Sequence, residues 1–188
     1  CQIALVGYTN AGKSSLMRAL TGSEVLAADK LFATLDTRVR ALHPKSFPAV
    51  LVSDTVGFIK KLPHDLVASF QSTLDEALAA SLLLFTVDAS DPAFRSQFAV
   101  TEQVLGEIGA NEIPRRLVLN KIDKISPEEL EKLKLEFPEG IFISAHDPAD
   151  VKSIRGSILE FFEQDLIEAT LTIPYSKGNI LGQLKSKA

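Results

Sequence analysis

Residues near the start of the chain carry the pattern G-x-x-x-x-G-K-[S/T], which is typical of a phosphate-binding loop. The segment comprises Gly7, Tyr8, Thr9, Asn10, Ala11, Gly12, Lys13 and Ser14, with Ser15 following. The glycines let the backbone wrap around phosphate oxygens, and N–H groups at a helix N-terminus then point at the negative charge. Lys13 is predicted to reach the β- and γ-phosphates, and the Ser14 hydroxyl to bind Mg²⁺. A chance glycine turn is the alternative, disfavoured by the apolar run before the loop and the helical pattern after it.

A second motif, D-x-x-G, directly follows an apolar run and consists of Asp54, Thr55, Val56 and Gly57. A carboxylate at the carboxyl end of a parallel strand lies at the edge where such sheets bind ligands. Asp54 can hold Mg²⁺, commonly through water, and the Gly57 N–H can meet a γ-phosphate. The pattern alone is also that of an ordinary strand-end turn, but its place after a phosphate loop favours the metal interpretation.

A third motif, made of Asn120, Lys121, Ile122 and Asp123, could recognise a nucleotide base. The Asp123 carboxylate can accept hydrogen bonds from both N1–H and the 2-amino group of guanine, a pair that adenine lacks. The Asn120 amide can bond the base edge and brace the phosphate loop, while the Lys121 stem packs along the purine plane. A helix N-cap aspartate after a turn is an equally good explanation of this motif in isolation.

Two further segments complete the predicted site. Ser144, Ala145 and His146 follow another apolar run, where a backbone N–H could meet guanine O6, although the pattern alone also fits an ordinary loop. Between the phosphate loop and D-x-x-G, a threonine that senses Mg²⁺ and the γ-phosphate is needed. The candidates are Thr34 and Thr37, within the segment Phe32, Ala33, Thr34, Leu35, Asp36 and Thr37. We expect the longer segment from about Asp29 to Arg38 to be a mobile loop that the γ-phosphate orders.

These motifs require strands that end at one edge of a sheet. Short apolar runs alternate with longer helical patterns, which predicts an α/β fold of the P-loop NTPase type: a three-layer sandwich with helices on both faces of a mostly parallel six-stranded sheet. The predicted strands are Ile3–Val6, Ala49–Ser53, Leu82–Asp88, Arg116–Asn120 and Gly140–Ile143, with Val39–His43 as an antiparallel edge strand. The predicted helices are Lys13–Thr21, Leu66–Ala80, Ala93–Ile108, Pro127–Glu136 and Val151–Ala169.

Composition excludes several classes of protein. The chain has 188 residues, 46% of them hydrophobic, and a net charge of −4, which excludes disorder and argues against a duplex-DNA binder. Its single cysteine excludes a disulfide scaffold and favours a reducing compartment, so we expect a cytoplasmic location. Its apolar runs are too short for a transmembrane segment. Residues 1–64 carry eight Lys and Arg against four Asp and Glu, a local excess compatible with a phosphate ligand.

The ordered set GYTNAGKS, DTVG, NKID and SAH resembles the translation-factor class of P-loop GTPases over residues 1–169. LFATLDT, at residues 31–37, and DTVGFIKKLPHDL, at residues 54–66, look more specifically like the HflX family of ribosome-associated GTPases. This resemblance implies that GTP and GDP are the ligands and that Thr34, rather than Thr37, binds Mg²⁺. The chain departs from the family's fuller TT/R element after LFATLD, which weakens any detailed comparison of this switch.

The same resemblance has implications for the whole protein. It would bind the large ribosomal subunit and act on ribosomes, for example by splitting them under stress. We expect the chain, which starts at Cys1, to be part of a longer protein, with a GTPase domain at 1–169 and the beginning of a truncated C-terminal domain at 170–188. The oligomeric state is left open, with a monomer favoured.

Catalysis is expected to rest on Lys13, Thr34, Asp54 and Gly57, with slow intrinsic turnover. Where Ras-like GTPases orient water with a glutamine, this chain has Phe58, which cannot form a hydrogen bond. The resemblance suggests that Asn10 helps to coordinate K⁺, although it could equally only stabilise the loop. Three alternatives stay open: a nucleotide-gated binding module with incidental hydrolysis, a tRNA-modification or ribosome-assembly GTPase, and a P-loop kinase, which NKID disfavours.

Overall fold

Each predicted strand has a counterpart in a six-stranded sheet of order β2-β3-β1-β4-β5-β6. The structure is a computed structural model, which describes residues 1–22, 38–55, 77–107 and 109–164. The strands are β1 (Gln2–Val6), β2 (Arg38–Ala41), β3 (Leu51–Asp54), β4 (Leu82–Asp88), β5 (Arg115–Asn120) and β6 (Ile141–Phe142). Neighbouring strands are parallel except for β2, which pairs antiparallel with β3 at the edge. The predicted fold class is thereby confirmed.

The helices run between the strands and cover both faces of the sheet. They are α1 (Lys13–Thr21), α2 (Phe94–Glu107), α3 (Pro127–Glu136) and α4 (Pro148–Glu163), with 3₁₀ turns at Ala110–Glu112 and Ile122–Lys124. Of the predicted helix Leu66–Ala80, residues 77–79 are helical, Ala80 follows them, and residues 66–76 lie outside the described part. None of the helices that the structure describes is long and apolar enough to cross a membrane.

Strand β1 shows why the central strands are apolar throughout. Its residues alternate between faces: Ile3 and Leu5 pack into the core beneath α1 and α4, whereas Ala4 and Val6 belong to a core that includes Leu105 of α2. Because helices cover both faces, the buried residues Ile3 to Val6 are apolar on either face. The strands β1, β3, β4 and β5 are parallel, so their carboxyl ends lie along one edge of the sheet.

The start of α4 differs from the prediction. The helix begins at Pro148 and not at Val151, because Asp147 caps it: the Asp147 carboxylate accepts a hydrogen bond from the Ala149 N–H at 2.8 Å. Aspartate followed by proline is a start signal for a helix, since the carboxylate satisfies a free N–H and proline needs no hydrogen-bond partner there. The two edge elements are also shorter than predicted, with β2 ending at Ala41 and β6 spanning only Ile141–Phe142.

Replacing the Asp147 cap tests this helix start. We expect Asp147→Ala to lower the free energy of unfolding by about 1 kcal/mol, because an N–H in the first turn loses its acceptor. Lys152→Ala, an exposed change within the same helix, should stay within about 0.5 kcal/mol of the parent. Urea denaturation of both variants measures this, and equal midpoints would show that the cap adds nothing.

Candidate functional site

The phosphate-loop motif joins β1 to α1 in a conformation that requires its two glycines. Gly7 has φ +148°, and a Cβ there would lie 2.1 Å from the carbonyl oxygen of Thr86. Gly12 has φ +91°, and its Cβ would lie 2.2 Å from the side-chain nitrogen of Asn120. No side chain caps the start of α1 at Gly12. The loop therefore turns tightly against β4 and β5 and presents a helix N-terminus, as a phosphate site requires.

Lys13 lies at the centre of this loop and is 6% exposed. Its ammonium donates hydrogen bonds to the carbonyl oxygens of Gly7, at 3.0 Å, and Tyr8, at 2.9 Å. Burial lowers the pKa of Lys13 to about 8, and the negative charge of Asp54 opposes that shift. A buried ammonium that is held by carbonyl oxygens of the loop is suited to bind a phosphate group of a ligand.

Ser14 and Asp54 come together although they are 40 residues apart in the sequence, with the Ser14 hydroxyl donating to Asp54 Oδ2 at 2.9 Å. Asp54 ends β3 and is 3% exposed. A hydroxyl and a carboxylate oxygen are the hard donors that Mg²⁺ prefers in proteins, so these two residues fit that ion. The hydroxyl of the neighbouring Thr55 has a different partner, because it donates to the carbonyl oxygen of Leu5 at 2.6 Å.

Asn120 joins three loops of the site through one buried amide. Its Nδ2 donates to the carbonyl oxygen of Ala11 at 3.0 Å, and its Oδ1 accepts from the Ala145 N–H at 3.1 Å. The contact with Ala11 is the predicted brace of the phosphate loop. The contact with Ala145 was not predicted, and it engages one N–H of the loop in which the sequence predicts a backbone N–H near guanine O6. This single side chain thus ties the first motif to the third and fourth.

The other residues of the third and fourth motifs differ in exposure and in their hydrogen-bond partners. Asp123 lies in the 3₁₀ turn Ile122–Lys124 with its side chain exposed, so its carboxylate is accessible to a base. The Ser144 N–H donates to the carboxylate of Asp150 at 2.8 Å, and the His146 side chain is exposed. Asp123, which is predicted to recognise the base, is thus exposed, whereas the Asn120 amide that braces the loops is buried.

Sequence reasoning missed Asp88, the last residue of β4. Its Oδ2 lies 2.6 Å from Lys121 Nζ, and the same ammonium donates to the carbonyl oxygen of Asn10 at 2.7 Å. A carboxylate at the end of a parallel strand was an available signal, since it is the one that selected Asp54. The structure shows hydrogen bonds of the Lys121 ammonium. The stacking of its aliphatic stem on a purine stays a prediction.

Several predicted site residues lie outside the part of the chain that the structure describes. They are Phe32, Ala33, Thr34, Leu35, Asp36, Val56 and Gly57, and with them Phe58. Their roles as a metal ligand, γ-phosphate contacts and switch residues therefore stay predictions.

The comparisons with known proteins identify the family. A family model described as "50S ribosome-binding GTPase" matches residues 2–121, well over half of the chain. The chain belongs to this family. A relative named GTPase HflX, from Gluconacetobacter diazotrophicus, is 60% identical over 187 residues, which is 100% of this chain but 42% of the relative. The resemblance to HflX is thus confirmed, and the chain spans less than half the length of the curated relatives that it matches.

The solved structures that resemble this member of the 50S ribosome-binding GTPase family include complexes with guanine nucleotides. A GTP-binding protein from Sulfolobus solfataricus in complex with GDP is 28% identical, with a TM-score of 0.65 over 87% of this chain and 52% of its own. Era in complex with MgGDPNP and nucleotides of 16S ribosomal RNA is 26% identical, with a TM-score of 0.64 over 92% of this chain and 59% of its own.

The lowered pKa of Lys13 predicts a pH-dependent affinity for GDP. Above its pKa of about 8 the free protein loses the Lys13 proton, whereas a bound phosphate keeps the ammonium charged, so binding must take up a proton. Affinity should therefore fall roughly fourfold between about pH 7 and pH 8.5. Calorimetry in buffers of different ionisation heat measures the proton uptake directly. Lys13→Arg, which stays charged, should flatten the pH dependence, and absence of proton uptake in the parent would contradict the prediction.

Proposed function

We propose that this chain is the GTP-binding and GTP-hydrolysing switch domain of a ribosome-associated GTPase of the HflX type, acting in the cytoplasm. The observation that carries the proposal is the Asn120 bridge, because it assembles the phosphate loop, the N-K-x-D turn and the S-A-H loop into one continuous site. The membership of the 50S ribosome-binding GTPase family supports the same function.

The phosphate half of the site supports binding of a Mg²⁺–triphosphate. Lys13 supplies a buried positive charge, and the paired oxygens of Ser14 and Asp54 would hold Mg²⁺, with Thr34 as a further ligand. Mg²⁺ neutralises charge on the β- and γ-phosphates when it is bound. Catalysis of phosphoryl transfer to water is then mainly electrostatic, with the ammonium of Lys13 and the N–H of Gly57 stabilising charge at the γ-phosphate.

The base half of the site supports selection of guanine. Asp123 is exposed, and its 3₁₀ turn directly follows Asn120 and Lys121, which are fixed by hydrogen bonds to the phosphate loop. A carboxylate held in one place can accept from N1–H and the 2-amino group together. A base without that pair of donors leaves the carboxylate unsatisfied, which is the usual source of strong rejection.

We expect the rate of GTP hydrolysis to depend on a partner that completes the catalytic site. Phe58 stands where a water-orienting glutamine is found in Ras-like GTPases, so we expect slow hydrolysis until a partner completes the site. The large ribosomal subunit is the proposed partner. A binding module with incidental hydrolysis is the competing function, and stimulation by the subunit distinguishes the two.

The test is single-turnover GTP hydrolysis by the full-length protein with and without large ribosomal subunits. We expect the large subunit to accelerate hydrolysis at least about tenfold, since a completed site gains transition-state stabilisation. Small subunits at the same concentration are the control and should have little effect. Tight GTP binding with no acceleration would favour the binding module, and failure to bind GTP would contradict both.

Asp123 provides a direct test of base recognition. Asp123→Asn replaces a carboxylate oxygen, an acceptor, with an amide N–H, a donor, so GDP affinity should fall about 100-fold. Xanthine carries an oxygen in place of the 2-amino group, so the variant should bind XDP better than the parent does. Glu128→Gln, an equivalent change at an exposed position of α3, is the matched control and should leave both affinities unchanged. Unaltered GDP affinity in Asp123→Asn would remove Asp123 from the site.

Asn10 supports a further element of the proposal, a K⁺ ion beside the α- and γ-phosphates. Asn10 is exposed at the outer turn of the phosphate loop, with a left-handed backbone at φ 62°, where its side-chain oxygen can approach a ligand. Hydrolysis should be faster in KCl than in NaCl at equal ionic strength, and Asn10→Ala should abolish that difference. Equal rates in the two salts would contradict a role for K⁺.

A further inference from the structure

Asp88 divides its two carboxylate oxygens between different tasks. Oδ1 accepts hydrogen bonds from Ser90, from the N–H at 3.0 Å and from the hydroxyl at 2.6 Å. Oδ2 faces Lys121 Nζ at 2.6 Å. Asp88 pairs with Asn120 in the register of β4 and β5, so the carboxylate stands beside the residue that precedes Lys121. The first oxygen closes a turn, and the second reaches into the candidate site.

Lys121 connects two positions of unusual backbone conformation. Among the described residues, the non-glycine positions with positive φ are Asn10, at 62°, and Lys121, at 64°. The ammonium of Lys121 donates to the carbonyl oxygen of Asn10 at 2.7 Å and thus joins the two. A left-handed conformation is unfavourable for most side chains and persists where surrounding contacts impose it. The contact that holds Lys121 in turn is the carboxylate of Asp88.

The ion pair between Lys121 and Asp88 is partly buried. The side chains of Lys121 and Asp88 are 22% and 17% exposed, so solvent screens them only in part. Burial alone would raise the pKa of Asp88, but the hydrogen bonds from Lys121 and Ser90, with the charge of Lys121, outweigh it and leave the pKa below its usual range. The carboxylate therefore stays ionised at neutral pH, and the charge-assisted bond to Lys121 is retained.

We propose that Asp88 is a positioning residue for the nucleotide: it holds Lys121 against Asn10 and thereby fixes the outer turn of the phosphate loop. Asp88 does not touch the nucleotide in this account and acts through Lys121. The inference rests on the proposed function, because it concerns the binding of a guanine nucleotide to the same loop. The ion pair lies within the folded chain itself.

The competing explanation is that Asp88 only closes the turn with Ser90. Two substitutions separate the explanations. Asp88→Asn keeps an oxygen for Ser90 but places an N–H₂ group opposite the Lys121 ammonium, so the turn can persist while the ion pair is lost. Ser90→Ala removes the hydroxyl from the same carboxylate and leaves the contact with Lys121 intact.

The experiment measures dissociation of a fluorescent GDP analogue and steady-state GTP hydrolysis by the full-length protein. In Asp88→Asn we expect the dissociation rate and KM to rise about tenfold, with kcat within about twofold, because the loop binds ground state and transition state alike. In Ser90→Ala both parameters should stay within about twofold of the parent.

A third variant tests the route through Lys121. In Lys121→Ala the ammonium that joins Asp88 to the carbonyl oxygen of Asn10 is absent, so Asp88 has no group to position. In that background Asp88→Asn should raise the dissociation rate by less than about threefold. A purely structural role for Asp88 would show the same tenfold rise in both backgrounds.

The outcomes are distinct. An unchanged dissociation rate in Asp88→Asn, an equal rise in Ser90→Ala, or a full effect of Asp88→Asn in the Lys121→Ala background would each overturn the positioning role. If the parent protein binds and hydrolyses GTP in the same assays, such a result leaves the proposed function standing. If the parent does neither, the proposed function itself fails.

Discussion

The candidate site depends on the buried amide of Asn120. This side chain is 1% exposed, and its donor and acceptor are satisfied by Ala11 on one side and Ala145 on the other. An unsatisfied buried amide costs about 1–3 kcal/mol per group, so the loops can move apart only at that cost. Gly12 is required by the same contact, since any side chain there would occupy the place of the amide nitrogen. The hydrogen bonds of Asn120 consequently hold the loops in register.

Charge in the site is arranged around this brace. The Lys13 ammonium donates to the carbonyl oxygens of Gly7 and Tyr8, while the Lys121 ammonium lies between Asp88 and the carbonyl oxygen of Asn10. Both ammonium groups thus donate to the main chain of the phosphate loop. A protein that must bind a highly charged ligand benefits from such an arrangement, because its dipoles and charges need little reorganisation on binding.

Much of the fold could be predicted from local signals in the sequence. Helix α1 has its predicted bounds because Gly12 and Gly22 flank it, and α3 has them because Ser126 caps it before Pro127. Strand β4 also matches, since its seven residues are apolar except for Thr86 and Asp88, begin after the polar Ser81 and end on the charged Asp88. The start of α4 was predicted three residues too late although the sequence contains its start signal. The Asp147–Pro148 pair was present and was overlooked.

The residues that sequence reasoning missed depend on contacts between distant segments. Asp88 becomes part of the site only because β4 pairs with β5 in a register that places Asp88 opposite Asn120. The bond between Asn120 and Ala145 likewise needs β6 beside β5. The local excess of positive charge was also ambiguous, since Arg40 and Lys45 lie in β2 and the hairpin beyond it rather than in the phosphate loop.

Amide hydrogen exchange tests whether Asn120 holds the loops together. In the nucleotide-free protein we expect the Ala145 N–H to be protected. In Asn120→Ala we expect it to exchange at least about 100-fold faster, together with amides of the phosphate loop. Amides of β4 should keep their protection and show that the fold is intact. An Ala145 N–H that exchanges equally fast in parent and variant would show that Asn120 does not hold the loops together.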